Sequence, residues 1–230
     1  AEAVAEGLRL TESQGTHYVV TPNPEIVELC RENLAAKIAV NEADLVLADG
    51  IGVVKGAAML GTPLKDRVPG IEFAAGLMAG LAANGKTLYL LGAKPGVAEQ
   101  AAQRLQATYP GLVIAGTHDG YFKDDAAVAE EIRKTGADVV FVCLGAPKQE
   151  KWIARFGLLT GAKMAIGLGG ALDVFAGTVD RAPEKWQKAG MEWAYRLVRE
   201  PKRFGRMARL PLVLVKAAGQ RVTGRRQGVL

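Results

Sequence analysis

Short apolar runs alternate with amphipathic stretches along most of this chain. Six of these runs have the aliphatic and β-branched residues typical of buried strands, at residues 17–21, 44–49, 87–93, 112–118, 138–145 and 163–170. The stretches between them space their apolar residues as helices do. Strands and helices that alternate in this way favour a parallel sheet covered by helices on both faces. The pattern therefore predicts an α/β fold with a parallel sheet of about six strands.

Helix starts are marked by capping residues and prolines. Asn23 followed by Pro24 predicts a helix over residues 24–40, because Asn caps helix N-termini and Pro suits the first turn. Three further starts are predicted at Pro95, Asp124 and Pro147. In such folds ligands bind beyond the carboxyl ends of the strands, where loop amides and helix N-termini converge. Polar residues that follow the strands are therefore the candidates for a site.

The positive charge of the chain is concentrated at its C-terminal end. Residues 181–230 hold 13 Lys and Arg against 3 Asp and Glu, a net charge of +10. The whole chain carries +5, so residues 1–180 carry −5. This confinement, and the apolar run at 210–215, argue against nucleic-acid binding and favour a basic helical appendage lying on an anionic membrane surface. The alternative is a pair of helices packed on the core with a solvated basic face. We expect a main domain over residues 1–180 and the appendage over 181–230.

The chain has few sequence marks of export or cross-linking. No apolar run reaches the roughly 20 residues that span a bilayer, and the first residues do not have the pattern of a signal peptide. We therefore expect a cytoplasmic protein, or one peripheral on the inner membrane face. Cys30 and Cys143 are the only cysteines, which disfavours a disulfide framework, and both are expected to be buried thiols.

Asp49 is the strongest candidate for acid–base chemistry. It ends an apolar strand and is followed by Gly50 and Gly52, so its carboxylate is expected to face the ligand crevice. A carboxylate in that position can take the proton of a hydroxyl group. The alternative is that Asp49 caps the helix that begins near Gly52, and the two roles are compatible.

Glycines recur at the ends of the predicted strands, where they let a nucleotide diphosphate approach the backbone. They are Gly92, Gly145, Gly167, Gly169 and Gly170. The dinucleotide fingerprint G-x-G-x-x-G is absent from the first strand–helix unit and no P-loop motif occurs, which disfavours a nicotinamide dehydrogenase or a P-loop ATPase. His17 and His118 lack ligand partners at metal-site spacing and no Asp-x-Asp pair occurs, so neither a metal nor another cofactor is predicted.

Two further polar side chains lie near predicted helix starts. Arg67 precedes the helix that begins near Ile71, and with the arginines of the tail it is a candidate to stabilise a departing diphosphate. A solvated loop arginine is the alternative. Gln149, one turn into a helix, brings an amide near the crevice, although it is also a common residue of helix surfaces.

Eight segments in consistent order cover nearly the whole chain. They are TPNPEIV (21–27), ADGIGVV (48–54), RVPGIEF (67–73), LGAKPGVAE (91–99), HDGYF (118–122), GAPKQEKWI (145–153), the stretch from GLGGALDVF to EWAYRL (167–197) and EPKRFGRM (200–207). Together they resemble the WecG/TagA/CpsF glycosyltransferases. Two departures are the absence of a strand before the first helix, which would leave a sheet edge unpaired, and Leu172 in place of a family phenylalanine, which we expect to be tolerated.

The resemblance implies a Rossmann-like, inverting and metal-independent enzyme. It would move N-acetylmannosamine from UDP to the 4-hydroxyl of GlcNAc-diphospho-undecaprenol, as in synthesis of the wall teichoic acid linkage unit. The implied partners are a UDP-sugar donor, the lipid-linked acceptor and the cytoplasmic membrane surface. A donor carrying the uronic acid of that sugar, a non-enzymatic nucleotide-binding membrane module and an NAD-dependent oxidoreductase remain alternatives.

The resemblance also assigns roles to residues at matching motif positions. Asp49 of ADGIG is the implied base. The tail arginines implied to close over the pocket and neutralise the diphosphate are Arg196, Arg203 and Arg206. The predicted substrate-binding residues are Thr21, Asn23, Arg67, Gly92, Gly145, Gln149, Gly169 and Gly170. Membrane binding of the tail would complete the active site, and a tail that leaves its pocket would let subunits associate as a homo-oligomer.

Overall fold

The protein is built around one parallel sheet. The computed structural model describes residues 1–188, 191–192, 194–195 and 210–223. Its strands are β1 (His17–Val20), β2 (Leu45–Val46), β3 (Thr87–Gly92), β4 (Val113–His118), β5 (Val139–Cys143) and β6 (Met164–Gly167). They lie in the order β2-β1-β6-β5-β3-β4, and every neighbouring pair is parallel. The predicted α/β fold with six parallel strands is confirmed.

Helices cover both faces of this sheet. They are α1 (Glu2–Glu12), α2 (Pro24–Glu32), α3 (Leu34–Asn41), α4 (Ile51–Met59), α5 (Gly70–Ala83), α6 (Val97–Thr108), α7 (Asp125–Thr135), α8 (Lys148–Phe156), α9 (Ala171–Ala176), α10 (Glu184–Lys188) and α11 (Leu210–Thr223). A 3-10 turn, Leu158–Thr160, follows α8.

The prediction of one continuous helix over residues 24–40 is wrong, because the structure has two helices there. Asn23 caps α2 as expected, and its Oδ1 accepts a hydrogen bond from the Ile26 amide at 3.0 Å. Asn33 then takes an extended conformation, and its Oδ1 accepts from the Ala36 amide at 3.0 Å. This local side-chain bond starts a new helix instead of continuing the first one.

The core has two layers, one on each side of the sheet. Along β3, Leu88 and Leu90 face the layer that contains α5 and α6, whereas Tyr89 and Leu91 face the layer that contains α7 and α8. Strands buried on both faces must be apolar at successive positions, which is the continuous pattern seen in the sequence. Leu172 is fully buried in the first layer.

The C-terminal helix α11 packs on α4 and, to a smaller extent, on α2. Val213 and Ala217, one turn apart, are buried in this contact. The described part of the tail therefore agrees with the alternative stated above, in which the tail packs on the core as a helix. None of the helices in the described residues has the length and apolar character needed to cross a membrane. A boundary near residue 180 and the membrane contact of the appendage stay predictions.

Candidate functional site

The loops that follow the strands line up along one edge of the sheet in strand order. Because β2 and β1 form one side of the sheet, Asp49, Thr21 and Asn23 lie together at one end of this edge. Residues that follow β3 and β4 lie at the other end, with the glycine-rich loops after β6 and β5 between them. The edge therefore offers an elongated crevice with two different ends.

Asp49 is bonded to the start of a helix distant in sequence. Its Oδ2 accepts a hydrogen bond from the Gly70 amide, the first residue of α5, at 3.0 Å. Helix α4 begins at Ile51 after the N-cap residue Gly50, and it has no side-chain cap. The alternative that Asp49 caps the helix after it is thus wrong, since the carboxylate binds the start of α5 instead. The Asp49 carboxylate therefore lies at the positive end of the helix dipole of α5.

Thr21 lies against the same helix start. A Cβ atom added at Gly70 would be 3.1 Å from the Thr21 Oγ1, so glycine at position 70 lets α5 approach Thr21 closely. The Thr21 hydroxyl is buried and donates to the Gly167 carbonyl at 3.0 Å, which ties the end of β1 to the end of β6. The structure therefore brings Thr21 and Asp49 together around Gly70.

Gln149 holds two glycine loops in place. Its side chain is only 2% exposed. The Oε1 atom accepts from the Gly145 amide at 3.2 Å and from the Gly169 amide at 2.9 Å, and so links the loops after β5 and β6. Both glycines have a positive φ, +75° and +54° respectively. The surface-residue alternative for Gln149 is wrong, and both glycine amides point at this protein acceptor.

Gly92, unlike Gly170, has a local reason to be glycine. Gly92 has a φ of +130°, and a Cβ atom there would lie 2.3 Å from the Cys143 carbonyl oxygen. The close approach of β3 to β5 therefore requires glycine at position 92. Gly170 caps the short helix α9, and a Cβ atom there would lie 3.7 Å from an Asp173 carboxylate oxygen. That the strand-end glycines bind substrate stays a prediction.

Glu150 is the hydrogen-bond partner of the Gln149 side-chain NH2 group. It is fully buried, and its Oε1 accepts from the Gln149 Nε2 at 2.8 Å, which orients the amide. Its other oxygen and the Tyr18 hydroxyl are buried without a hydrogen-bond partner among the described residues. Burial raises the pKa of the Glu150 carboxyl above its ordinary value, so the folded protein favours the protonated acid.

Replacing Glu150 by glutamine is expected to increase stability at neutral pH. A carboxyl whose pKa is raised in the folded state costs stability once the pH passes its unfolded pKa of about 4.3, and Gln retains the oxygen that accepts from Gln149. The gain in the unfolding midpoint should be present at pH 7 and shrink as the pH falls toward 4. Thermal unfolding followed by circular dichroism measures it. Glu130→Gln is the control and should show no gain, because it changes an exposed carboxylate whose pKa is lowered by Arg133. If Glu150→Gln were less stable than wild type at pH 7, the expectation would be contradicted.

Arg67 connects the loop before α5 to the start of the tail. Its side chain is 19% exposed; Nη1 lies 3.4 Å from Glu192 Oε1, and Nη2 donates to the Gln187 carbonyl at 3.4 Å. The solvated loop arginine of the sequence alternative is therefore wrong. Arg181, which the sequence patterns did not single out, pairs with Glu72 of α5 at 2.6 Å and approaches Glu192 at 4.0 Å. Two guanidinium groups thus lie near the helix start that binds Asp49.

A cavity of about 260 Å³ lies at the other end of the crevice. It is lined by Ala93, Lys94, Gly120, Tyr121, Cys143, Leu144, Lys148 and Asp173. Tyr121 is 68% exposed, and the Lys148 Nζ donates to the Gly120 carbonyl at 2.9 Å. Ala93 has a φ of +62°, a strained conformation of the kind that concentrates at binding sites. The cavity is therefore lined by an exposed aromatic ring, two ammonium groups and one carboxylate.

Sequence reasoning missed the four polar residues of this cavity as site residues. Lys94, Tyr121, Lys148 and Asp173 each lie in a segment that follows a strand, within GAKPG, HDGYF, GAPKQ and ALDVF. Their position after strand ends was the available signal. The positions of Arg196, Arg203 and Arg206 lie outside the described residues.

The described residues contain two thiols with raised pKa values and no cluster of three metal ligands. Burial raises the pKa of Cys143 to about 12 and, with the nearby Glu150 charge, that of Cys30 to about 11, so both remain thiols at neutral pH. Both are unpaired; Cys143 is buried as expected, whereas Cys30 is partly exposed. Across the described ranges, no three His, Cys, Asp or Glu side chains form a group that could hold a metal ion.

Comparison with known proteins identifies the family to which the chain belongs. A sequence model of the glycosyl transferase WecG/TagA/CpsF family matches residues 1–227. An N-acetylglucosaminyldiphosphoundecaprenol N-acetyl-beta-D-mannosaminyltransferase of Bacillus spizizenii is 38% identical over 202 residues, 88% of this chain and 78% of that protein. A protein of the same name from Staphylococcus aureus is 37% identical over 207 residues, 90% of this chain and 82% of its own length. The match extends over nearly all of the chain, which belongs to the WecG/TagA/CpsF family of glycosyl transferases.

Proposed function

We propose that this protein transfers N-acetylmannosamine from UDP to the 4-hydroxyl of GlcNAc-diphospho-undecaprenol, the step that builds the linkage unit of wall teichoic acid. The names of the two relatives support the acceptor and the transferred sugar. The observation that carries the proposal is the Asp49 carboxylate bonded to the start of α5 at 3.0 Å, at the opposite end of the crevice from a cavity with nucleotide-binding chemistry.

The nucleotide of the donor is assigned to the cavity. The open ring of Tyr121 offers a surface on which uracil can stack, and the Asp173 carboxylate can accept hydrogen bonds from ribose hydroxyls. Lys94 and Lys148 supply positive charge for the diphosphate. Two strand spacings, about 10 Å, separate the end of β5 from the end of β1. The sugar of a donor bound here would extend along the crevice toward Thr21 and Asp49.

The proposed chemistry is a single displacement with inversion. Asp49 takes the proton of the acceptor hydroxyl as its oxygen attacks the anomeric carbon from the face opposite UDP. The bond from the anomeric carbon to the UDP oxygen breaks, and UDP leaves with its electron pair. Arg67, with Arg196, Arg203 and Arg206, offsets the charge that builds on the diphosphate. Gln149 and Asn23 act by holding the glycine loops and the start of α2, and no step requires a metal ion.

The acceptor end of the crevice is proposed to face the inner surface of the cell membrane. The net charge of +10 over residues 181–230 supports contact with anionic lipid. A lipid-linked acceptor then reaches Asp49 without leaving the bilayer. Binding of the intact protein to vesicles of anionic lipid tests this placement, and its absence would remove the membrane from the proposal. Self-association off the membrane stays a prediction for analytical ultracentrifugation.

Release of UDP from UDP-N-acetylmannosamine tests the proposed reaction. The assay contains a GlcNAc-diphospho-lipid acceptor and EDTA, and we expect release that depends on the acceptor. Release only with the uronic acid of the donor sugar would replace the proposed donor. Binding of UDP without release from either donor would favour a nucleotide-binding module over an enzyme.

Changes in the cavity are expected to weaken donor binding. Asp173→Asn and Tyr121→Ala should each raise the KM for the donor about tenfold. Asp173→Asn loses a charged hydrogen-bond acceptor, and Tyr121→Ala loses a stacking surface worth ~1–3 kcal/mol. The value of kcat should change much less, since neither side chain touches the reacting atoms. Asp125→Asn in the first turn of α7 is the matched control. Unchanged KM in both cavity variants would place the nucleotide elsewhere.

A further inference from the structure

The Lys148 ammonium group is held from two sides. Its Nζ donates a hydrogen bond to the Gly120 carbonyl at 2.9 Å and lies 4.5 Å from the centre of the Phe122 ring. An ammonium group has three N–H donors, and this one makes no further hydrogen bond or ion pair with the described residues. One donor serves the carbonyl and one is directed at the ring, so the third is left for a ligand in the cavity that Lys148 lines.

This arrangement joins loops that follow two strands which are not neighbours. Lys148 begins α8 after β5, whereas Gly120 and Phe122 follow β4, and β3 lies between these two strands. The contact therefore bridges strand ends that are two strand spacings, about 10 Å, apart. The loop after β3 is bonded to the same turn, because the Gly120 amide donates to the Ala93 carbonyl at 2.9 Å. Three of the loops that line the cavity are thus linked through Gly120.

The Phe122 ring is itself held in place. The His118 ring meets it edge to face, with the ring centres 5.5 Å apart and the planes at 85°. His118 is fixed in turn, because its Nδ1 donates to the Asp119 carbonyl at 2.8 Å. In the same turn the Asp119 Oδ1 accepts from the Tyr121 amide at 2.7 Å. The turn therefore presents a fixed Phe122 ring to Lys148 and an exposed Tyr121 ring to the cavity.

The two lysines of the cavity differ in how far they are ordered. Lys94 is exposed, and its ammonium group makes no hydrogen bond or ion pair with the part of the chain that the structure describes. A flexible side chain that must be ordered on binding an anion loses roughly 2- to 10-fold in affinity. Lys148 avoids this cost, because the carbonyl and the ring already hold its ammonium group.

We propose that Phe122 is a positioning residue, which holds the Lys148 ammonium group in place for the diphosphate of the donor nucleotide. This inference rests on the proposed function, which assigns the nucleotide to the cavity. The described residues that line the cavity include Lys148 but not Phe122, so the ring acts on the ligand through the lysine. Phe122 also packs against the core layer of α7 and α8, and the experiment must separate these two roles.

Four variants of the full chain make this separation. Phe122→Leu removes the ring but keeps an apolar side chain, Phe122→Tyr keeps the ring, and Lys148→Met removes the ammonium group. Phe156→Leu is the matched control, because the Phe156 ring packs against the same core layer and lies 5.3 Å from the Arg155 guanidinium. Phe156 is eight residues further along α8 than Lys148, a distance of about 12 Å.

We expect Phe122→Leu to weaken binding of UDP about 3- to 10-fold, the effect of losing a cation–π contact that orders the lysine. Affinity for uridine should stay unchanged, because uridine has no diphosphate. Phe122→Tyr and Phe156→Leu should bind UDP as wild type does. In protein that already carries Lys148→Met, Phe122→Leu should cause no further loss, because the ring then has no ammonium group to hold. Isothermal titration calorimetry with UDP and with uridine measures these affinities.

The positioning role would be overturned by wild-type UDP affinity in Phe122→Leu, or by equal weakening of UDP and uridine in that variant. It would also be overturned if Phe122→Tyr or Phe156→Leu were as weak as Phe122→Leu, or if the loss persisted in the Lys148→Met background. Wild-type protein that binds UDP no more tightly than uridine would overturn the placement of the diphosphate beside Lys148, and the inference with it. The expected binding pattern without release of UDP in the presence of acceptor would overturn the proposed transfer reaction but leave the positioning role of Phe122 intact.

Discussion

Replacement of Asp49 by asparagine is expected to lower kcat for UDP release by about 10²–10⁴-fold, the usual contribution of a general base. Asparagine keeps an oxygen that can accept from the Gly70 amide, now bonded to Asp49 at 3.0 Å, so the start of α5 should remain capped. The variant loses the negative charge of the carboxylate and with it the capacity to take a proton. Steady-state kinetics with saturating acceptor would measure the loss.

A second carboxylate provides a matched control for this substitution. Asp66 also accepts a hydrogen bond from a backbone amide, that of Arg67 at 2.7 Å, in the loop just before α5. Asp66→Asn removes the same charge from nearly the same region, and its kcat should stay close to that of wild type. UDP affinity should be unchanged in both variants. If Asp49→Asn retained more than a tenth of the activity, another group would have to accept the proton.

The strands could be predicted because the parallel sheet buries them on both faces. Such strands are short continuous apolar runs that end at polar residues and glycines, and all six were located to within a few residues. The break between α2 and α3 was missed because it depends on one side-chain hydrogen bond, from the Ala36 amide to Asn33. Asparagine has a low helix propensity, but tertiary context often overrides such a preference. The sequence pattern alone therefore could not decide whether Asn33 continues one helix or separates two.

The site could be predicted by location but not by contacts. Position after a strand identified Asp49 and Thr21, yet their shared neighbour Gly70 lies far along the chain and only the fold brings it to them. The same limit applies to Gln149, whose buried amide joins Gly145 to Gly169. A residue drawn from a motif near the crevice can thus act by shaping loops instead of by touching a ligand.

Replacement of Arg196, Arg203 and Arg206 together by glutamine is expected to lower kcat by about 10²–10³-fold, as the loss of groups that stabilise charge in a transition state does. The reason is that charge on the diphosphate increases as UDP leaves. Affinity for uridine should not change, because the cavity proposed for it is lined by residues at or after the ends of β3, β4, β5 and β6. Single-turnover measurements with bound donor would separate the chemical step from binding.

The same tail offers a control with equal charge. Replacement of Arg199, Lys202 and Arg209 by glutamine removes three positive charges from the same stretch, whose net charge is +10 within residues 181–230. Each basic residue near an anionic membrane contributes about 1 kcal/mol to binding, so both triple variants should bind anionic vesicles more weakly. Only the first should lose the chemical step. Equal losses of kcat in the two variants would mean that the tail acts through membrane charge alone, and that Arg67 carries the stabilisation of the diphosphate.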